Sequence, residues 1–63
     1  MKKLDDLMKE FRKIGKEYIL SNNKDIQEHY ENYMRILIEY ECPIGEKDRF
    51  YNFIEDLKKW RQQ

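Results

Sequence analysis

Residues 26–40 read Ile26-Gln27-Glu28-His29-Tyr30-Glu31-Asn32-Tyr33-Met34-Arg35-Ile36-Leu37-Ile38-Glu39-Tyr40, and this stretch decides the fold class. Ile26, Tyr30, Tyr33, Leu37 and Tyr40 recur at steps of three and four, the spacing of one face of an α-helix. Met34 and Ile38 widen this seam on one side and Ile36 widens it on the other. The apolar arc covers roughly 200° at about 100° per residue, wider than a simple surface helix needs. Glu28, Glu31, Arg35 and Glu39 occupy the rest and read as a solvated face. Glu31, Arg35 and Glu39 form an i, i+4 ladder worth a few tenths of a kcal/mol per pair. Pro43 disfavours the helical conformation at Cys42, so the helix is expected to end near Glu41.

Upstream, Leu4, Leu7, Met8, Phe11, Ile14, Tyr18 and Ile19 make a second stripe of helical period. Asp5 and Asp6 fall in its first turn, where the helix dipole favours acids. Gly15 lies at the edge of the stripe, where it permits close helix approach. Ser21-Asn22-Asn23 supplies a turn and a cap for the following helix. Downstream of Cys42-Pro43-Ile44-Gly45, a third stripe runs through Phe50, Phe53, Ile54, Leu57 and Trp60. Glu55 and Lys59 are expected to pair at i, i+4, and Lys58, Lys59 and Arg61 to sit at the negative end of the helix dipole. Arg61-Gln62-Gln63 is expected to fray. The prediction is an all-α fold: a compact three-helix bundle, or a helical hairpin plus a third helix, over residues 2–20, 24–41 and 46–61. The segments are too short for a long coiled-coil rod and read as bundle packing.

Composition agrees. The chain has no Val, Thr or Ala and is rich in Lys, Glu, Leu, Met and Gln, which favour helix. Abundant Lys, Ile, Asn, Tyr and Phe beside scarce Gly and Pro is the signature of AT-rich coding, pointing to a low-GC bacterium or its phage. With 63 residues the chain holds one domain of marginal stability. A single cysteine excludes an intrachain disulfide, and a single histidine argues against a Cys/His zinc site. Efficient helix packing or self-association must compensate. After Met1-Lys2-Lys3 no apolar signal-peptide core follows, and no stretch approaches the roughly 20 apolar residues of a membrane span. The expected setting is the cytoplasm, with no membrane partner and with Cys42 reduced.

The candidate chemistry is thin. His29 and Cys42 are separated by about 20 Å of helical rise and cannot form a dyad. Gly15 and Gly45 are isolated, so no phosphate loop exists. No catalytic residue, metal or cofactor is expected, and Cys42 is expected to be dispensable for folding. The net charge is zero, which disfavours nucleic acid as a partner. Yet residues 1–20 carry six bases against four acids, while residues 24–42 carry two bases against five acids. Lys9, Arg12, Lys13 and Lys16 form one basic stripe opposite the first apolar stripe. Three readings stay open for it: an ordinary solvated face, a phosphate track, or a surface for an acidic protein. The tyrosines on the middle helix have two readings, partial core burial with the hydroxyl at the rim or contact with a partner. The sequence reading is a non-enzymatic protein-binding module, a regulator or inhibitor that blocks another protein. Self-association is expected through Tyr30, Tyr33, Ile36, Leu37, Ile38 and Tyr40, giving a homodimer. The alternative is a small nucleic-acid-associated regulator using the basic stripe.

Overall fold

A computed structural model describes residues 3–62, in which extended backbone at Lys3 leads into helix α1 (Leu4–Leu20). The earlier start expected at Lys2 lies outside the described residues. Asp5 and Asp6 occupy the first turn of α1, as their charge favours. The helix stops at Ser21, whose N–H donates to Glu17 O (3.0 Å) and whose Oγ–H donates to Tyr18 O (2.7 Å). Asn23 then caps α2 (Lys24–Glu41): its Oδ1 accepts from the Asp25 N–H at 2.7 Å. Cys42, held extended ahead of Pro43, ends α2 as expected. A short 3₁₀ turn (Ile44–Glu46) leads directly into α3 (Lys47–Gln62). The fold is all-α with three α-helices, and no strand occurs among the described residues.

Both connections are short, so neighbouring helices run antiparallel and α1 and α3 run parallel. A bundle 31 × 16 × 16 Å results, its long axis little more than one helix length. Its core is Leu7, Phe11 and Ile14 from α1, Met34, Leu37, Ile38 and Cys42 from α2, and Phe50 and Ile54 from α3. Phe11 sits at the centre, its ring 4.7 Å from Phe50 and 6.1 Å from Phe53 between centroids. Gly15 is buried where α1 meets α3: a Cβ there would lie 3.2 Å from both Leu57 Cδ1 and Phe53 Cζ. The glycine therefore lets these two side chains settle against the α1 backbone.

Several sequence expectations are corrected. Trp60 is 63% exposed, although it continues the α3 stripe. At about 100° per residue it lies roughly 100° from the Phe50–Ile54 centre line, past the edge of what two neighbouring helices cover. Ile26, read as the start of the α2 seam, is also exposed. The row Glu31, Arg35, Glu39 is only partly solvated: Glu39 is exposed, but the row also forms one side of the α2/α3 seam. Arg35 pairs with Glu31 (3.2 Å) and with Glu55 across the seam (3.8 Å). Lys58 also reaches Glu31 (3.7 Å), and Lys47 reaches Glu39 (3.2 Å). Glu55 thus turns to Arg35 rather than to Lys59, and Glu39 to α3 rather than to Arg35. Cys42 is buried in the core, so Cys42→Ser would place a hydroxyl among apolar side chains at a cost of about 1–2 kcal/mol.

Arg61, expected to fray, instead reaches back to the end of α1. Its guanidinium donates to Ile19 O (3.0 Å) and to Ser21 O, and Gln27 Nε2 donates to Ser21 O as well (3.1 Å). The last turn of α1 carries no basic residue of its own, so α3 supplies the cation its dipole favours. Arg61→Ala should destabilise the fold by about 1–2 kcal/mol, the range for charged hydrogen bonds discounted for partial exposure. Urea unfolding followed by circular dichroism measures this. An unchanged midpoint would mean that the contact is incidental.

Candidate protein-docking site

The three seams of the bundle differ in how they close. On the α2/α3 seam the ion pairs above are joined by the Tyr51 hydroxyl, which donates to Glu39 Oε2 at 2.9 Å, and by Arg35 lying 5.8 Å over the Tyr51 ring. That hydrogen bond first, and then Lys47, hold the Glu39 carboxyl below the usual carboxylate range, while the same bond pushes the Tyr51 phenol up. Charge and hydrogen bonding cover this seam. On the α1/α2 seam the Tyr33 hydroxyl donates to Glu10 Oε1 at 3.2 Å.

The α1/α3 seam is open. A groove runs along it with Met8, Phe11 and Phe50 at one end, Gly15, Phe53 and Leu57 in the middle, and Ile19 and Trp60 at the other end. Arg12 and Lys16 line it from α1, and Arg49 and Asp56 from α3. Parallel helices joined through α2 explain the opening, since no loop crosses between them. Sequence reasoning missed the groove because it is made by two segments far apart in the chain.

The basic stripe reaches both flanks of α1. Lys9, Arg12, Lys13 and Lys16 are all exposed, but Arg12 and Lys16 flank the α1/α3 groove. Lys13 lies on the other flank of α1, in a hollow shared with Glu10, Glu17, Tyr30 and Tyr33. At about 100° per residue the four cations span roughly 100° of α1, with Glu10 and Glu17 beyond Lys13 rather than among them.

The six residues expected to self-associate separate as well. Leu37 (6% exposed) and Ile38 (0%) belong to the chain's own core, and Tyr30 is half-buried against it. That removes Leu37 and Ile38 from any contact with a second chain. Tyr33, Ile36 and Tyr40 remain exposed, at 41%, 54% and 78%. Ile26, exposed too, completes a lane: Ile26, Tyr33 and Tyr40 are seven residues apart, with Ile36 beside them.

Cys42 is buried in the core, a setting that disfavours the thiolate. Burial pushes its thiol pKa up, with Glu46 adding to the shift, and the S–H donates to Pro43 O at 3.4 Å. Alkylation by iodoacetamide near neutral pH should be slow in buffer and fast in denaturant, following global unfolding. A rate in buffer matching that of a small free thiol would place Cys42 at the surface. Among the described residues no group of three or more His, Cys, Asp and Glu side chains is placed to hold a metal ion. Among them, too, no helix is long and apolar enough to cross a membrane.

Fold and surface together define a small all-α three-helix protein with an apolar groove and an apolar lane on different faces. No family model matches the sequence, and no curated protein or solved structure matches it either.

Proposed function

We propose that the chain is a non-enzymatic protein-binding module that pairs with a second copy of itself through α2 and uses its remaining surface to bind another protein. The observation that carries this reading is the lane of Ile26, Tyr33, Ile36 and Tyr40, four large apolar or aromatic side chains 41–78% exposed along one side of one helix. Tyrosine and isoleucine so grouped are costly to leave in water and suit a contact between proteins. The acidic α2 and the basic flank of α1 give the module a charge asymmetry that favours oriented association over nonspecific sticking. The AT-rich composition fits a low-GC bacterium or its phage. In that cytoplasmic setting a binder of this size acts as a regulator or inhibitor by covering a surface of its target. Light scattering of the unmodified protein and of Ile36→Glu tests the pairing, since only the α2 lane contains Ile36.

The nucleic-acid reading draws support from one feature, the exposure of Lys9, Arg12, Lys13 and Lys16. Four cations on a chain of zero net charge leave few phosphates within reach at once. Duplex DNA should bind weakly at low salt and not at physiological salt, because a small number of phosphate contacts is readily outcompeted by counterions. Fluorescence anisotropy across a salt series measures this. Sub-micromolar, sequence-selective binding at physiological salt would reverse the order of the two readings.

A further inference from the structure

We infer that the α1/α3 groove is the seat for an amphipathic helix of a partner protein whose apolar stripe is flanked by acidic residues. The inference rests on the protein-binding reading but not on self-association, which uses a different face. From Met8 to Leu20 the groove follows α1 for roughly 18 Å, about three turns of a helix. Two parallel helices with an apolar floor between them lack only a fourth helix to complete a four-helix arrangement. An extended segment would find no free sheet edge here, so a helix laid in a groove is the mode the site supports. Met8 and the rings of Phe53 and Trp60 supply adaptable apolar contact, and Gly15 lets the floor lie low.

Charge names the partner. Arg12 and Lys16 stand along one bank and Arg49 on the other, and Asp56 opposes them near Trp60. Arg49 also contacts Glu46 at 3.5 Å, so Arg12 and Lys16 carry most of the uncompensated charge. A helix with Glu or Asp beside its apolar stripe meets these cations at the rim while its apolar side chains fill the floor. A helix with Lys there meets repulsion. Rim charges of this kind select partners and steer approach.

Trp60 is the only tryptophan of the chain and lines the groove, so its fluorescence reports occupancy directly. The probes are two designed helical peptides with the same leucine stripe at i, i+3, i+4 and i+7, one flanked by Glu and the other by Lys. The unmodified protein should bind the Glu-flanked peptide about tenfold more tightly than the Lys-flanked one, with a blue shift of Trp60 emission. The double variant Arg12→Glu/Lys16→Glu changes two exposed side chains and should keep its helical circular dichroism while reversing that order. Equal affinity for the two peptides, an unchanged order in the double variant, or binding without a Trp60 response would each overturn the inference. So would loss of self-association in the double variant, because the groove would then hold a second copy of this chain. Peptide binding abolished by Ile36→Glu would move the site to α2 and overturn it as well. Failure of the peptide arms alone would leave the pairing through α2 standing, which the light-scattering experiment reads separately.

Discussion

Phe11→Ala should remove most of the stability of the chain. Phe11 is 1% exposed and is the side chain around which α1 and α3 meet, with Phe50 and Phe53 both in ring contact. Truncating a buried phenylalanine to alanine costs about 3–5 kcal/mol, part from lost transfer free energy and part from the cavity left behind. The whole stability of a domain this size is roughly 3–9 kcal/mol at typical values per residue. Relaxation into the gap is limited because α2 braces the core from the third side through Met34 and Ile38, both 0% exposed. The expected signature is loss of most helical ellipticity, or a melt beginning near room temperature. Leu20→Ala is the matched comparison: Leu20 is 65% exposed, and its truncation should stay within about 0.5 kcal/mol. If Phe11→Ala melted at the same temperature as the unmodified protein, the three helices could not be packed around this ring.

The three stripes and their loops were legible because helical period, Pro43 and the Asn pair act locally. The width of the apolar arc on α2 was legible as well, though its buried part is only Met34, Leu37 and Ile38. Its two flanks, Ile36 and Ile38, look equivalent in sequence, yet Ile38 is buried and Ile36 exposed. Periodicity gives the angle of each side chain on its own helix, not which side the neighbouring helices take. The same gap in information explains the row Glu31, Arg35, Glu39. Its i, i+4 spacing is visible, but a charged row reads as solvent-facing unless the opposing row is known. That opposing row, Lys47, Tyr51, Glu55 and Lys58, is itself at helical spacing on α3. Laying the two rows side by side is the one sequence signal that would have found the seam. Arg61 offers no such signal, since its carbonyl partners at Ile19 and Ser21 are about forty residues away and belong to the backbone, which has no sequence code. The α1/α3 groove was out of reach for a related reason. It exists because two parallel helices are left without a covering element, a property of topology rather than of any one stripe.

Ile36→Glu should abolish the proposed pairing through α2 and leave a folded monomer. Ile36 lies roughly 155° around α2 from the centre of its buried face, so it contributes nothing to the core of its own chain. Glutamate is also a good helix former, and the monomer should change by no more than about 0.5 kcal/mol. The effect on pairing is of another size. Burying an isoleucine against a second chain contributes about 1.5–3 kcal/mol, and a carboxylate sealed in the same place without a partner adds a penalty of several more. A loss of about 4 kcal/mol is roughly a thousandfold in the dissociation constant. Light scattering over a hundredfold range of concentration should therefore show the unmodified protein moving between monomer and dimer, or fixed as dimer, with Ile36→Glu monomeric throughout. The melting temperature should rise with concentration for the first and stay flat for the second, because only association couples stability to mass action. Ile44→Glu is the control: Ile44 is 87% exposed, more than Ile36, but sits on the 3₁₀ turn outside the lane. It should leave association intact, which separates a lane on α2 from a general effect of removing surface isoleucine. A monomer at every concentration, with one constant melting temperature, would remove the second copy as the cover for Ile26, Tyr33, Ile36 and Tyr40. The lane would then be free for the target protein itself, and the module would be binding it on two faces rather than one.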